Sequence, residues 1–155
     1  MSRAFVREQD GADLRDELPD RPVSPHQNLV TAAGLAAILA AVEAAQVQLA
    51  TAREQGDAEA VARALRDLRY WQHRKSSAEV VPAPPVADRI QFGSVVTLQR
   101  EDGRRLSYRI VGEDEADPAQ GTVSYVAPLA QALLGREVGD VVVVGRLEAE
   151  IVAIG

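Results

Sequence analysis

Several groups of side chains in this 155-residue chain have the chemistry to act on another molecule. Glu54, Asp57 and Glu59 crowd carboxylates around Gly56. Magnesium takes oxygen ligands but demands near-octahedral coordination, which a short acidic turn supplies poorly. Asp57 is also a competent N-cap, so a helix start flanked by solvated glutamates accounts for the same residues. Arg63, Arg66, Arg69, Arg74 and Lys75 place cations along one segment, diluted by Asp67. Such a stripe either meets phosphate or is the solvated face of a helix. Trp71 beside Tyr70 offers faces on which bases stack, or a packed pair at the base of a helical element. Glu113, Asp114, Glu115 and Asp117 form an acidic run. It lacks the glycine and closing glutamate of a calcium loop and reads as a turn. With no cysteine, and with His26 and His73 far apart in sequence, no metal site is expected.

The elements that position these groups follow from composition and period. Residues are 46% hydrophobic but only 4% aromatic, and alanine is concentrated between Ala32 and Ala64. Alanine favours helix and buries little surface, so that region reads as a slim helical element. A net charge of −6 argues against a protein that wraps duplex DNA or reads its sequence, because phosphate neutralisation needs a basic surface. The apolar run from Leu29 to Val42 is too short and alanine-rich to span a bilayer, so no membrane partner is expected. Arg3, Arg7, Glu8 and Asp10 stand where a signal peptide needs apolar residues. The expectation is a soluble cytoplasmic monomer.

Residues 1–30 are acidic and then proline-rich, with Pro19, Pro22 and Pro25, and read as an arm that is disordered or extended unless a partner orders it. Phe5 and Val6 are its docking candidates. Thr31 caps a helix in which Leu35, Val42 and Leu49 recur every seven residues, with Ile38, Ala45 and Ala52 between them. Gly56 ends it and Asp57 starts a second helix, whose seam runs Val61, Leu65, Leu68 and Gln72. Two helices joined by a glycine turn predict an antiparallel coiled-coil hairpin over 31–81. A proline-rich linker, 82–89, follows. Beyond it the pattern turns to strands at Val95–Gln99, Leu106–Val111, Thr122–Val126, Val141–Val144 and Leu147–Ile154, with a helix at Pro128–Leu134. The fold class is α+β: the hairpin, then a small antiparallel sheet with one helix over 90–155.

The second half carries a family resemblance. IQFGSVVTL (90–98), YRIVGEDEAD (108–117) and SYVAPLAQALLGREVGDVVV (124–143) are similar, in that order, to motifs of the C-terminal domain of the GreA and GreB transcription factors. REQGD (53–57) resembles the family's coiled-coil tip, and RYWQHRKSSAEVV (69–81) the end of its second helix. The resemblance implies an FK506-binding-protein-like (FKBP-like) C-terminal domain that docks at the rim of the secondary channel of RNA polymerase. It implies docking through Val126, Ala127, Pro128, Leu129 and Gln131, with Asp114 at a polymerase-facing edge. Two tip acids would help position a magnesium ion shared with the polymerase active site, the sole cofactor implied. Arg63 and Arg66 would face the channel and the 3′ end of the nascent RNA.

Departures from the family pattern shift the functional expectation. From Gly34 to Phe92 the chain is about twenty residues shorter than usual, which over two helices removes about 15 Å of reach at 1.5 Å per residue. Cleavage depends on ångström-scale placement, so a finger docked in the same way is expected not to cleave. The short finger resembles that of Rnk, a relative that binds polymerase without the cleavage role. At the tip Asp57 matches a family acid, but the second falls on Ala60, with Glu59 adjacent. Ala127 stands where the family usually has serine, a loss of about 1 kcal/mol in docking on ordinary hydrogen-bond values. Prolyl isomerase activity is not expected, because Phe92, Tyr108 and Tyr125 are too few to line a proline pocket. The reading is a non-enzymatic elongation regulator. Its rivals are a cleavage factor using Asp57 and Glu59, and an interaction module whose arm recruits another protein.

Overall fold

A computed structural model describes residues 18–155, and the expected docking role of Phe5 and Val6 lies outside them. The elements are β1 (Leu29–Val30), α1 (Ala32–Gln55), α2 (Ala58–Ser77), β2 (Glu79–Val80), β3 (Val95–Arg100), β4 (Arg105–Val111), β5 (Thr122–Ser124), α3 (Pro128–Leu133), β6 (Val141–Val144) and β7 (Leu147–Ile154). A single turn of 3₁₀ helix, Pro118–Gln120, precedes β5. Contacts divide these into two units. One holds 18–25 and Ile38–Ser77; the other holds His26–Ala37 and Ala78–Gly155.

In the helical unit, Ile38, Val42, Ala45, Leu49 and Ala52 of α1 are buried, as the heptad pattern requires. The turn ends α1 by a Schellman arrangement: Gly56, at φ 65°, donates to Arg53 O, and Asp57 N donates to Ala52 O. α1 exceeds the apolar run seen in sequence: its 24 residues are long and apolar enough, by length and composition, to cross a membrane. Here its apolar stripe is the buried seam of the hairpin. α2 departs from expectation. Ala62, Ala64 and Arg74 are its buried residues, Val61, Leu65 and Leu68 are half-buried, and Gln72 is exposed. The reason is that α2 carries a second load besides the seam. Residues 18–25 run along it, with Asp20 accepting from Arg69 Nε at 2.6 Å and Arg21 donating to Asp67 at 3.3 Å. That part of the arm is thus ordered by the chain's own helix.

The second unit is built on a five-stranded sheet in the order β5-β4-β3-β7-β6. Val96 and Leu98 of β3 and Ile110 of β4 point to one face and are fully buried with Ile151 of β7. α3 closes that face with Ala130 and Leu133. A bulge between Thr97 and Leu98 shifts the β7 register from Ala153 to Ile151, which keeps Ile151 inward. The sheet is not wholly antiparallel, a correction to the sequence reading. β5 pairs parallel to β4, since 112–121 forms a crossover about as short as parallel strands tolerate. A separate parallel pair, Leu29↔Glu79 and Val30↔Val80, ties β1 to β2. The expected hairpin boundary at residue 31 therefore moves: β1, the start of α1 and β2 belong with the sheet.

Two glycines allow this closeness. A Cβ on Gly112 would lie 2.3 Å from Leu29 O, and one on Gly34 2.1 Å from Glu115 Oε2. The first obstacle is backbone and the second a side chain that can swing away. Gly112→Ala is expected to cost about 2–3 kcal/mol in urea unfolding. Gly34→Ala should cost less, and equal losses would show that backbone closure at β1 is not the stricter constraint.

Candidate functional site

The clearest piece of site architecture is a carboxylate. Glu115 follows β4 in the acidic turn, and its side chain reaches Thr31, 84 residues earlier in the chain. Oε2 accepts from Thr31 N at 2.9 Å and from Gly112 N at 3.2 Å, and Oε1 accepts from the Thr31 hydroxyl. Thr31 Oγ1 in turn accepts from Gly34 N at 3.0 Å, the N-cap bond of α1. One carboxylate therefore fixes its own turn, the helix cap and the first orphan donors of α1. Negative charge at a helix N-terminus is also favoured by the helix dipole.

This arrangement divides the acidic run. Glu115 is an internal clasp, and Asp117 caps the 3₁₀ turn by accepting from Ala119 N at 3.1 Å. Asp114, just before Glu115, is half-buried. The adjoining segment from Val126 to Gln131 is shaped from within. Ala127 N donates to Ser124 O at 3.0 Å, and Pro128 occupies the first turn of α3, where its missing N–H costs nothing. Ala127, the N-cap, makes no side-chain capping bond. Pro128 and Gln131 are exposed, Val126, Ala127 and Leu129 half-buried. The Gln131 amide folds back on Tyr125 O at 2.7 Å. Tyr125 donates its hydroxyl to Gln27 O and sets its ring edge-on to Phe92, centroids 5.7 Å apart. Leu129 packs against the core of the sheet unit, so of this segment Pro128 and Gln131 are the residues fully turned to solvent.

Sequence reasoning missed Thr31–Glu115 and Tyr125–Gln27 as site-forming contacts. Thr31 was legible as a cap, but nothing local marks which of several acids reaches back to it. Tyr108 does not join Phe92 and Tyr125. It lines a separate cavity of about 180 Å³ with Leu98, Leu106 and Val144.

In the helical unit the tip is spoken for. Asp57 Oδ1 accepts from Ala60 N at 3.0 Å, capping α2. Glu59 lies 3.8 Å from Arg63, an exposed pair four residues apart. Glu54 is exposed. Among the described residues no group of three or more His, Asp or Glu side chains could hold a metal ion. Of the cations, Arg63 is exposed, and Arg66 is half-buried with its Nε out of water, without a hydrogen bond and 3.7 Å from Asp67. Arg69 is held by Asp20 and by Leu18 O at 3.2 Å. Arg74 is 1% exposed, so it drops out of the basic face that the sequence suggested.

Comparison with known proteins identifies the class. Residues 84–155 match the family model for the GreA/GreB transcription elongation factor C-terminal domain. GreA of Alkalilimnicola ehrlichii is 41% identical over 123 residues, covering 68% of this chain and 78% of the relative. GreA of Anaeromyxobacter sp. (strain K) is 48% identical over 86 residues, 52% of each chain. GreB of Neisseria meningitidis serogroup B is 39% identical over 95 residues, 57% of this chain and 58% of the relative. Among solved structures the chain is similar to the GreA factor homolog 1 protein of Thermus thermophilus, at 25% identity and a TM-score of 0.42, covering 84% of this chain and 99% of that one. This chain belongs to the GreA/GreB family of transcription elongation factors. In the matches to Anaeromyxobacter GreA and Neisseria GreB it spans about half of the relative's length.

Substitutions separate the structural from the charged roles of these acids. Thr31→Ala and Glu115→Ala are each expected to destabilise by about 1–2 kcal/mol, with a coupling of at least about 0.5 kcal/mol in a double-mutant cycle. Strict additivity would contradict the clasp. Asp57→Ala should cost about 1 kcal/mol, whereas Asp57→Asn, which keeps the capping oxygen, should be nearly neutral in thermal unfolding.

Proposed function

We propose that this protein is a non-enzymatic regulator of transcription elongation. It binds RNA polymerase at the secondary channel and has little capacity to stimulate transcript cleavage. The observation that carries the reading is the tip. Its family-matched acid, Asp57, is engaged as a helix cap, and Glu59 stands beside Arg63, with no cluster of three or more acids or histidines among the described residues. A lone capping aspartate is a poor anchor for magnesium, which needs several oxygens. Hairpin length supports the same conclusion: α1 has 24 residues and α2 has 20. At 1.5 Å per residue these span about 36 and 30 Å.

Docking falls to Val126, Ala127, Pro128, Leu129 and Gln131, beside the turn that holds Asp114. Leu129 and Pro128 supply apolar contact, and Ala127 contributes no hydroxyl. The finger then occupies the channel mouth and limits access by nucleotides or competing factors. Arg63 is the exposed cation available to the emerging RNA end. The proposed setting is the cytoplasm, with any magnesium belonging to the polymerase rather than to this chain. A cleavage-stimulating role, with Asp57 and Glu59 positioning that ion, is the second reading. Both acids are exposed at the tip, which is what favours it.

Binding to core polymerase, followed by fluorescence anisotropy of labelled protein, tests the docking claim. A dissociation constant at or below micromolar is expected, and Leu129→Asp should weaken it at least about tenfold, the factor 1.4 kcal/mol represents. Ala127→Ser should tighten it. No binding at micromolar concentration would remove the proposal, and indifference to Leu129→Asp would move the docking surface elsewhere.

A further inference from the structure

Large hydrophobic side chains exposed by the described residues gather at one place. Val138 at 56%, Val141 at 56%, Val143 at 62% and Leu147 at 43% all lie on or beside β6. β6 is the last strand of its sheet, with no strand beyond it among the described residues. It reads Val141-Val142-Val143-Val144. Val142 is buried, and Val141 and Val143 stand on the outer face. A run of β-branched residues makes a good strand, and this one carries none of the devices that keep an edge from pairing. It has no lysine, no proline and no bulge against β7.

The backbone is set for a partner as well. Ile151 N donates to Asp140 O at 2.9 Å, so Asp140 turns its carbonyl toward β7. In an antiparallel ladder that direction alternates along the strand. Val142 and Val144 therefore follow Asp140, and Val141 and Val143 turn N–H and C=O to the open edge.

Charge decides which strand comes in. Asp140 stands before β6 and Arg146 just after it, so the two ends carry opposite signs. Arg146 is exposed and has no ion-pair partner among the described residues. Asp140 Oδ2 accepts from Glu137 N at 2.9 Å, and Oδ1 is the oxygen left for a cation. A second β6 laid antiparallel brings Arg146 of each copy beside Asp140 of the other, whereas a parallel copy in register sets like charge against like. Centring the pair on Val142 puts Val141 opposite Val143 of the other copy. That register keeps the exposed valines on one face and uses every backbone group they turn outward. Glu148 and Glu150 of β7 share the face. Three strand spacings, about 14 Å, would separate them from their counterparts, beyond the screening length of about 8 Å at physiological salt.

We infer that β6 is a self-association edge: two copies of this chain pair their β6 strands antiparallel about Val142, with Asp140 meeting Arg146 at both ends. So short a strand buries less than the roughly 1,000 Å² that a lasting interface needs, so the pair is reversible and the expected monomer is its dilute state. The inference is independent of the polymerase-docking proposal, which concerns the segment from Val126 to Gln131.

Sedimentation equilibrium of the full chain, from roughly 10 μM to 1 mM, tests it. The weight-average mass should climb from that of one chain toward that of two, and no further. Val143→Lys, at an exposed position, should weaken association at least about tenfold with circular dichroism unchanged. Asp140→Lys and Arg146→Glu should each weaken it too, and mixing those two variants should restore it, because each then meets opposite charge at both ends. A single-chain mass throughout would overturn the proposal and leave the edge to another occupant, the chain's own N-terminal segment or a different protein. Association indifferent to Val143→Lys would place the contact elsewhere, with the same consequence. Mass climbing past two chains would mean open-ended stacking instead of a closed pair. Failure of the mixture to recover would remove the antiparallel pairing, and either result would overturn the inference.

Discussion

Much of this structure hangs on where one carboxylate goes. The Glu115 side chain reaches the cap of α1, so that the acidic turn after β4 and the start of the first long helix become a single hydrogen-bonded assembly. Helix starts carry orphan N–H donors that must find acceptors, and a charged acceptor satisfies them better than a neutral one. The cost is steric. Glu115 can sit there only because residue 34 has no side chain, and Leu29 can pass only because residue 112 has none. The parallel pairing of β1 with β2 then holds Leu29–Val30 beside Glu79–Val80 within the same unit.

The same economy of acids separates this chain's two ends chemically. Carboxylates clustered in the primary sequence are taken up by backbone donors: Glu115 by Thr31 N and Gly112 N, Asp117 as the cap of the 3₁₀ turn, Asp57 as the cap of α2. Acids used this way are acceptors already committed to backbone donors, and each has correspondingly less to offer a cation.

Legibility in the sequence followed the range of the interaction. Period and punctuation are local, so α1, the glycine turn, β6 and β7 emerged with the bounds found, and Thr31 and Asp57 were readable as caps, whereas α2, carried to residue 81, ends at Ser77 where β2 takes over. Contacts across 84 residues leave no local mark, and the Glu115–Thr31 clasp was invisible for that reason. The seam of α2 was misread because Gln72 keeps the heptad spacing but not the burial, while Arg74, a cation by composition, is buried. The parallel strand β5 was read as antiparallel because its residues pattern alike in either direction. Order in 18–25 went unseen because the partner that orders it is the chain's own α2.

RNA length in a stalled, backtracked elongation complex, followed with magnesium present and the protein bound, tests the central claim most directly. The account predicts that bound protein leaves the transcript at its original length over times in which a cleavage factor would shorten it, with Asp57→Asn indistinguishable from wild type. Shortening that disappears with Asp57→Asn, a change that preserves the helix cap and removes only the charge, would contradict it.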